Sequence, residues 1–197
     1  MKKKYLIYKN AISTELCRFL CEYSMIKATA LTELLNNNLI SIYDQRFGTF
    51  GDEQIPNSKT FCIYGDAAFD TLLLKLQSLI EKKTKNKLIP TYSYLRIYQK
   101  GDKLEKHTDR NECEFSITLN LGGDMWPIFI ENKKINLNAG DLLIYKGCEA
   151  IHWREEFTEN RCFQVFLHYK NMYKKEDSSL FDSRVALGIS KNIPLKN

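Results

Sequence analysis

The sequence predicts a mostly β fold in which N-terminal helices brace a C-terminal antiparallel sandwich or barrel. Two patterns carry that expectation. Before about residue 88, apolar residues recur at helical spacing; after Pro90 they come in short β-branched or aromatic runs. Those runs are TYSYLRIYQ, FSITLNL, PIFIE, DLLIYKG and CFQVFLHY, and Lys100-Gly101-Asp102, Gly122-Gly123-Asp124 and Ala139-Gly140-Asp141 punctuate them as turns. Short strands at regular spacing suit an antiparallel architecture rather than βαβ units. A chain of 197 residues is long enough for one domain with a sizeable core, and the expectation is a single domain over 1–197.

Taken in order, residues 4–12 predict a short strand. Ser13 or Thr14 can cap a helix with Glu15 in its first turn, and Leu16, Phe19, Leu20 and Tyr23 give that helix one apolar face. Residues 43–60, YDQRFGTFGDEQIPNSKT, combine glycine, polar groups and aromatics, which predicts a loop and a candidate lid. A second helix is expected over about 66–83, where Phe69, Leu72, Leu73, Leu76, Leu79 and Ile80 repeat with helical period and Lys82 and Lys83 stand near the negative end. Residues 1–88 are thus the supporting part, 89–170 the β core, and 171–197 a C-terminal tail.

Composition narrows the class. No apolar run approaches the ~18 residues of a membrane span, and the apolar stretch after the basic start is too short for a secretory signal. The six cysteines contain no CxxC pair and are expected to be reduced, so the expected compartment is the cytoplasm. The net charge is +5, but it is nearly all lysine, in small clusters at Lys2–Lys4, Lys82–Lys87, Lys133–Lys134 and Lys174–Lys175. A nucleic-acid binder would concentrate arginine and aromatics on one face, so the charge argues against that partner class. With only seven arginines, each one beside a motif is informative.

All three histidines, His107, His152 and His168, fall in the β-rich half. In a strand, His107-x-Asp109 points both side chains to one face, where they can occupy adjacent positions on one metal. His152, between two predicted strands, can complete a set of two histidines and one carboxylate. Such a facial triad suits non-haem Fe(II), although zinc accepts the same donors. Arg161 follows nine positions later at the head of a strand, where a buried guanidinium needs an anion and a carboxylate held at two points is its best partner. Tyr98 can add a phenolic donor, and Ser116, Thr118 and Asn120 alternate on one face of FSITLNL.

The ordered set Tyr98-x-x-Gly101, His107-x-Asp109, Gly122-Gly123, Asn138-Ala139-Gly140-Asp141, His152 and Arg161 resembles the Fe(II)- and 2-oxoglutarate-dependent dioxygenases, closest in layout to the prolyl-hydroxylase-like group. The resemblance covers roughly residues 88–170. It implies a double-stranded β-helix, a jelly-roll or cupin-like barrel. It further implies that His107, Asp109 and His152 hold Fe(II) and that Arg161 and Tyr98 grip the far carboxylate of 2-oxoglutarate. The implied reaction uses molecular oxygen to hydroxylate a C–H bond while 2-oxoglutarate is decarboxylated to succinate. A peptide residue of prolyl type or a small metabolite is the implied substrate. Many relatives carry a hydroxyl residue two positions after the arginine; Arg161-Cys162-Phe163 does not, and Thr118 or Asn120 is expected to replace it. The arginine spacing differs from that of the alkylated-base demethylases, so oxidation of a nucleobase is the weaker alternative. A catalytically silent jelly-roll that binds a ligand is the other.

Further side chains have plainer expected roles. His168 is expected to be packed or hydrogen-bonded rather than a ligand, and Arg110 to pair with Glu114 across a turn. Trp126 and Trp153 are expected to pack at the core or rim, while Arg96 suits either substrate or an ion pair.

Overall fold

Strand pairing assembles the short β runs into two facing sheets. The computed structural model describes residues 4–56, 58–173 and 180–189; the expectations placed on Lys2, Lys3, Lys174, Lys175 and residues 190–197 lie outside them. In chain order the strands are β1 (Tyr5–Tyr8), β2 (Thr49–Phe50), β3 (Phe61–Tyr64), β4 (Leu88–Gln99), β5 (Leu104–His107) and β6 (Phe115–Gly123). They continue with β7 (Ile128–Ile130), β8 (Lys133–Ile135), β9 (Leu142–Tyr145), β10 (His152–Arg154) and β11 (Arg161–Asn171). The larger sheet runs β1-β9-β6-β11-β4-β3-β2 and the smaller β5-β10-β7-β8, with every pairing antiparallel.

The helices lie where the apolar periodicity puts them. Helix α1 (Thr14–Asn36) is capped by Ser13, whose hydroxyl accepts from the Leu16 amide at 3.2 Å. Helix α2 (Ala67–Thr84) is capped by Asp66 and ends at Lys85, whose left-handed backbone (φ 59°) stops the helix. Both pack on one face of the larger sheet, against Leu95, Ile97, Ile117, Leu119, Leu121, Phe163, Val165 and Leu167. That face is the main hydrophobic core. Residues of opposite parity on the same strands turn toward the smaller sheet, so the two sheets enclose a more polar interior.

Residues 43–60 hold a one-turn helix, Gln45–Phe47, and the two-residue strand β2, so the segment expected as a loop carries only minimal regular structure. The tail contributes more than the sequence suggests. Arg184 is fully buried and meets Asp70 of α2 at 2.7 Å, while its guanidinium also donates to the Thr91 carbonyl. Asp70 in turn accepts from the Ser93 hydroxyl and the Gly188 amide. Residues 180–189 are thereby strapped across α2 and β4. Truncating Arg184 leaves a charged carboxylate buried without its partner, so Arg184→Ala is expected to destabilise the protein by about 3–5 kcal/mol, read as a lower midpoint in urea.

Candidate metal centre and cavity

The pairing of β10 with β5 sets His152 directly opposite His107. Their rings stand 4.2 Å apart between centroids. Asp109 lies just beyond the end of β5, where its amide donates to the Gly147 carbonyl at 2.9 Å. Its Oδ1 is 3.4 Å from His152 Nε2 and 3.7 Å from His107 Nε2. One ligand atom from each of the three residues lies within 4.8 Å of the others. Two imidazoles and one carboxylate therefore converge on one point, with the remaining directions facing a cavity.

Hydrogen bonds orient these side chains as a metal would need them. His107 Nδ1 is 2.8 Å from the Glu105 carbonyl and His152 Nδ1 is 2.9 Å from the Ala150 carbonyl. A carbonyl only accepts, so both protons sit on Nδ1 and both Nε2 lone pairs point at the shared centre. Burial, reinforced by the neighbouring His152, lowers the His107 pKa and keeps that ring neutral. Asp109 is the opposite case. Burial pushes its pKa up, but the imidazoles of His152 and His168 beside it and the hydrogen bond from Ser116 hold it well below the usual carboxylate range.

Ser116 Oγ donates to Asp109 Oδ2 at 2.5 Å and accepts from His168 Nδ1 at 3.0 Å. This line of donors leaves Oδ1 for the metal side. Burial drives the His168 pKa down to about 4, so the ring is neutral, and it packs at 4.5 Å from Tyr92. Asp109, Cys113 and His168 form a second cluster of metal-ligand type. There the thiol is held protonated, chiefly by burial, and His168 is committed to Ser116, so this cluster orients Asp109. Gly147 makes the approach possible, since a Cβ on it would overlap Asp109 Oδ2, Ser116 Oγ and the Cys113 carbonyl.

A cavity of about 800 Å³ opens from the triad. Its walls include Tyr64, Tyr92 and Tyr94, the cations Arg96 and Arg110, and, from residues 43–60, Gln45, Gly48, Thr49, Gly51, Asp52, Glu53 and Gln54. Asp52 meets the Arg96 guanidinium at 2.9 Å from Nε, and Arg96 Nη1 donates to the Tyr98 hydroxyl at 3.0 Å. Of the two roles open to Arg96, the ion pair is formed. Arg110 pairs with Glu112 and with Asp182 from the tail rather than with Glu114, whose carboxylate accepts from the Asn171 amide. The reason is direction: Arg110 faces the cavity side of its turn, and Glu114 faces β11.

The expected co-substrate residues are placed unequally. Tyr98 and Thr118 are fully buried between the sheets, and the Thr118 hydroxyl lies beside the Tyr145 phenol. Asn120 faces the same interior, but its amide donates to the Leu137 carbonyl and accepts from Gln164 Nε2 and the Gly122 amide, so it ties strands together. Arg161 does not join the site. On β11, Cys162, Gln164, Phe166 and His168 face the smaller sheet, whereas Arg161 shares parity with Phe163, Val165 and Leu167. Its Nη1 rests 3.2 Å from Met25 Sδ of α1. The expectation that Arg161 grips a carboxylate inside the barrel is corrected by strand alternation. Sequence reasoning passed over Arg154, although His152-x-Arg154 has the same i, i+2 spacing that singled out His107-x-Asp109.

No protein-family model and no curated protein sequence matches the chain. Solved structures do. A prolyl-4-hydroxylase from Pseudomonas putida superposes with a TM-score of 0.57 at 14% identity, over 85% of this chain and 93% of that one. A viral collagen prolyl hydroxylase from Paramecium Bursaria Chlorella virus-1, in a 2-oxoglutarate complex, gives 0.58 at 11% identity over 85% and 96%. HygX from Streptomyces hygroscopicus, with nickel, 2-oxoglutarate and hygromycin B bound, gives 0.56 at 11% identity over 86% and 84%. The fold is the double-stranded β-helix of the 2-oxoglutarate oxygenases.

The hydrogen bonds around Asp109 make separable expectations. Ser116→Ala removes the donor to Oδ2 while leaving all three ligands, and should weaken Mn(II) affinity by roughly 10–100-fold, measured by electron paramagnetic resonance titration. Gly147→Ala displaces Asp109 itself and is expected to weaken metal binding at least as much.

Proposed function

We propose that the protein is an Fe(II)- and 2-oxoglutarate-dependent oxygenase that hydroxylates a C–H bond of a peptide residue of prolyl type or of a small metabolite. The observation that carries this reading is the triad: two Nε2 lone pairs and one carboxylate oxygen on a single centre, with their hydrogen-bond partners already satisfied, facing an open cavity. The donor set of two imidazoles and a carboxylate fits Fe(II) and leaves positions free for other ligands. Bound there, the metal with the 2-oxo acid and oxygen supplies the oxidising chemistry, in which 2-oxoglutarate becomes succinate and carbon dioxide.

This chain's residues then have defined tasks. His107, Asp109 and His152 hold the metal, and Ser116 and His168 keep Asp109 oriented. The tyrosines, with Phe166, wall one side of the cavity and limit the water that reaches the centre. Asp52 and Asp182 offset Arg96 and Arg110 on its wall, so the cavity offers no net basic surface to a phosphate backbone, which favours a peptide or small molecule over nucleic acid. Residues 43–60 line the same cavity, which supports a lid role for them. Among the described residues no helix is long and apolar enough to cross a membrane.

The test is anaerobic addition of Fe(II) and 2-oxoglutarate. A weak visible charge-transfer band is expected, with slow succinate release once oxygen is admitted, and both should disappear in Asp109→Ala. Tight zinc binding with no 2-oxoglutarate-dependent band would overturn the assignment. Unchanged return of every ligand in a 2-oxoglutarate-consumption screen over peptides, amino acids and nucleosides would instead indicate a silent binder.

A further inference from the structure

Among the described residues, Arg154 is a buried charge without a counter-ion. It lies two residues after His152 on β10, so strand alternation turns both side chains to the barrel interior while Trp153 points away to stack on Phe129. Only 1% of the residue is exposed. Nη1 donates to the Trp126 carbonyl, the guanidinium lies over the Trp126 ring at 4.8 Å, and Nε has no hydrogen bond. No carboxylate among the described residues pairs with it. Arg46, Arg96, Arg110 and Arg184 each meet an aspartate. Arg161 also has an unbonded Nε, but it faces α1, on the other side of the sheet. Arginine stays protonated even where burial disfavours the charge, so a guanidinium in this setting is costly unless an anion joins it.

The neighbours of Arg154 are those of an anion pocket. Tyr98 packs at 4.7 Å from the same Trp126 ring, and the charges of Arg96 and Arg154 both act on its phenol. The field of Arg154 also reaches Cys162, the interior-facing first position of β11, where a basic side chain would point inward and this chain has a thiol. We propose that Arg154, with Tyr98 as a hydroxyl donor, binds the carboxylate of the 2-oxo acid remote from the metal. The anion anchor is then carried by the strand of the metal-ligating histidine rather than by the last strand.

This rests on the oxygenase reading and refines it. Two residues along a strand advance about 6–7 Å, close to the length of a five-carbon dicarboxylate whose other end lies at the metal. Arg154 and Tyr98 do not line the cavity; Phe166 does, and it also packs in the apolar cluster of Tyr98, Trp126 and Cys162, so binding at Arg154 requires its ring to move. Arg96 lines the cavity too, but Asp52 already neutralises it.

The experiment compares 2-oxoglutarate with 2-oxopentanoate, which has the same chain without the second carboxylate. Anaerobic binding to the Mn(II)-loaded full-length protein is followed by tryptophan fluorescence and calorimetry, and Mn(II) affinity is measured separately by electron paramagnetic resonance. Wild type should prefer 2-oxoglutarate by at least about 30-fold, the range for losing one partner of a buried charge pair. Arg154→Met should abolish the preference with Mn(II) affinity unchanged, Arg154→Lys should retain part of it, and Arg161→Met should keep it within about twofold. If Arg154→Met fails to fold, Arg154→Lys and Arg161→Met decide. Full preference in a folded Arg154 variant, or its loss in Arg161→Met or Arg96→Met but not at Arg154, overturns the proposal. A wild type that binds Mn(II) but neither oxo acid overturns the oxygenase reading with it.

Discussion

The cross-strand pair between His152 on β10 and His107 on β5 is the contact on which the candidate site depends. Antiparallel pairing brings two residues 45 positions apart in sequence face to face, and the Nδ1 bonds to Ala150 and Glu105 then aim both Nε2 atoms at one point. Asp109 needs a separate support, because it lies past the end of its strand. The Gly147 carbonyl holds its backbone and Ser116 holds its carboxylate, so the turn between β9 and β10 and the start of β6 meet at Asp109.

The same alternation divides labour across the larger sheet. Side chains of one parity on β4, β6 and β11 pack beneath α1 and α2 and supply most of the apolar burial that stabilises the fold. Those of the other parity carry the hydroxyls, the phenols and His168 into the space between the sheets. Stability and chemistry are therefore borne by alternate residues of the same strands. In the interior, Gln164 Nε2 donates to Asn120 Oδ1 and so braces β11 against β6. Arg154 is different in having, among the described residues, one backbone acceptor, an aromatic ring and no anion.

The chain outside the barrel also shapes the cavity. Asp52 from the 43–60 segment neutralises Arg96, and Asp182 from the tail pairs with Arg110 and accepts from the Tyr64 hydroxyl. Two acidic side chains from segments distant in sequence thus offset two basic ones on the cavity wall. Charge there is balanced locally, whereas behind Tyr98 it is not.

Both helices, the five main β runs and the His107, Asp109 and His152 set were legible in the sequence, because periodicity and residue chemistry are local properties. The short strands β2, β3, β5, β8 and β10 were not, since two to four residues carry too little pattern to stand out from a turn. Parity at the head of β11 was equally hidden. A one-residue difference in register decides whether Arg161 or Cys162 enters the barrel, and register is set by pairing with β4 and β6 rather than by the segment itself. The sequence by itself determined which donor types this protein owns and the order in which they occur. Only the tertiary structure decided which of its arginines shares the interior with the triad, because that depends on the face each strand turns inward once its neighbours are in place.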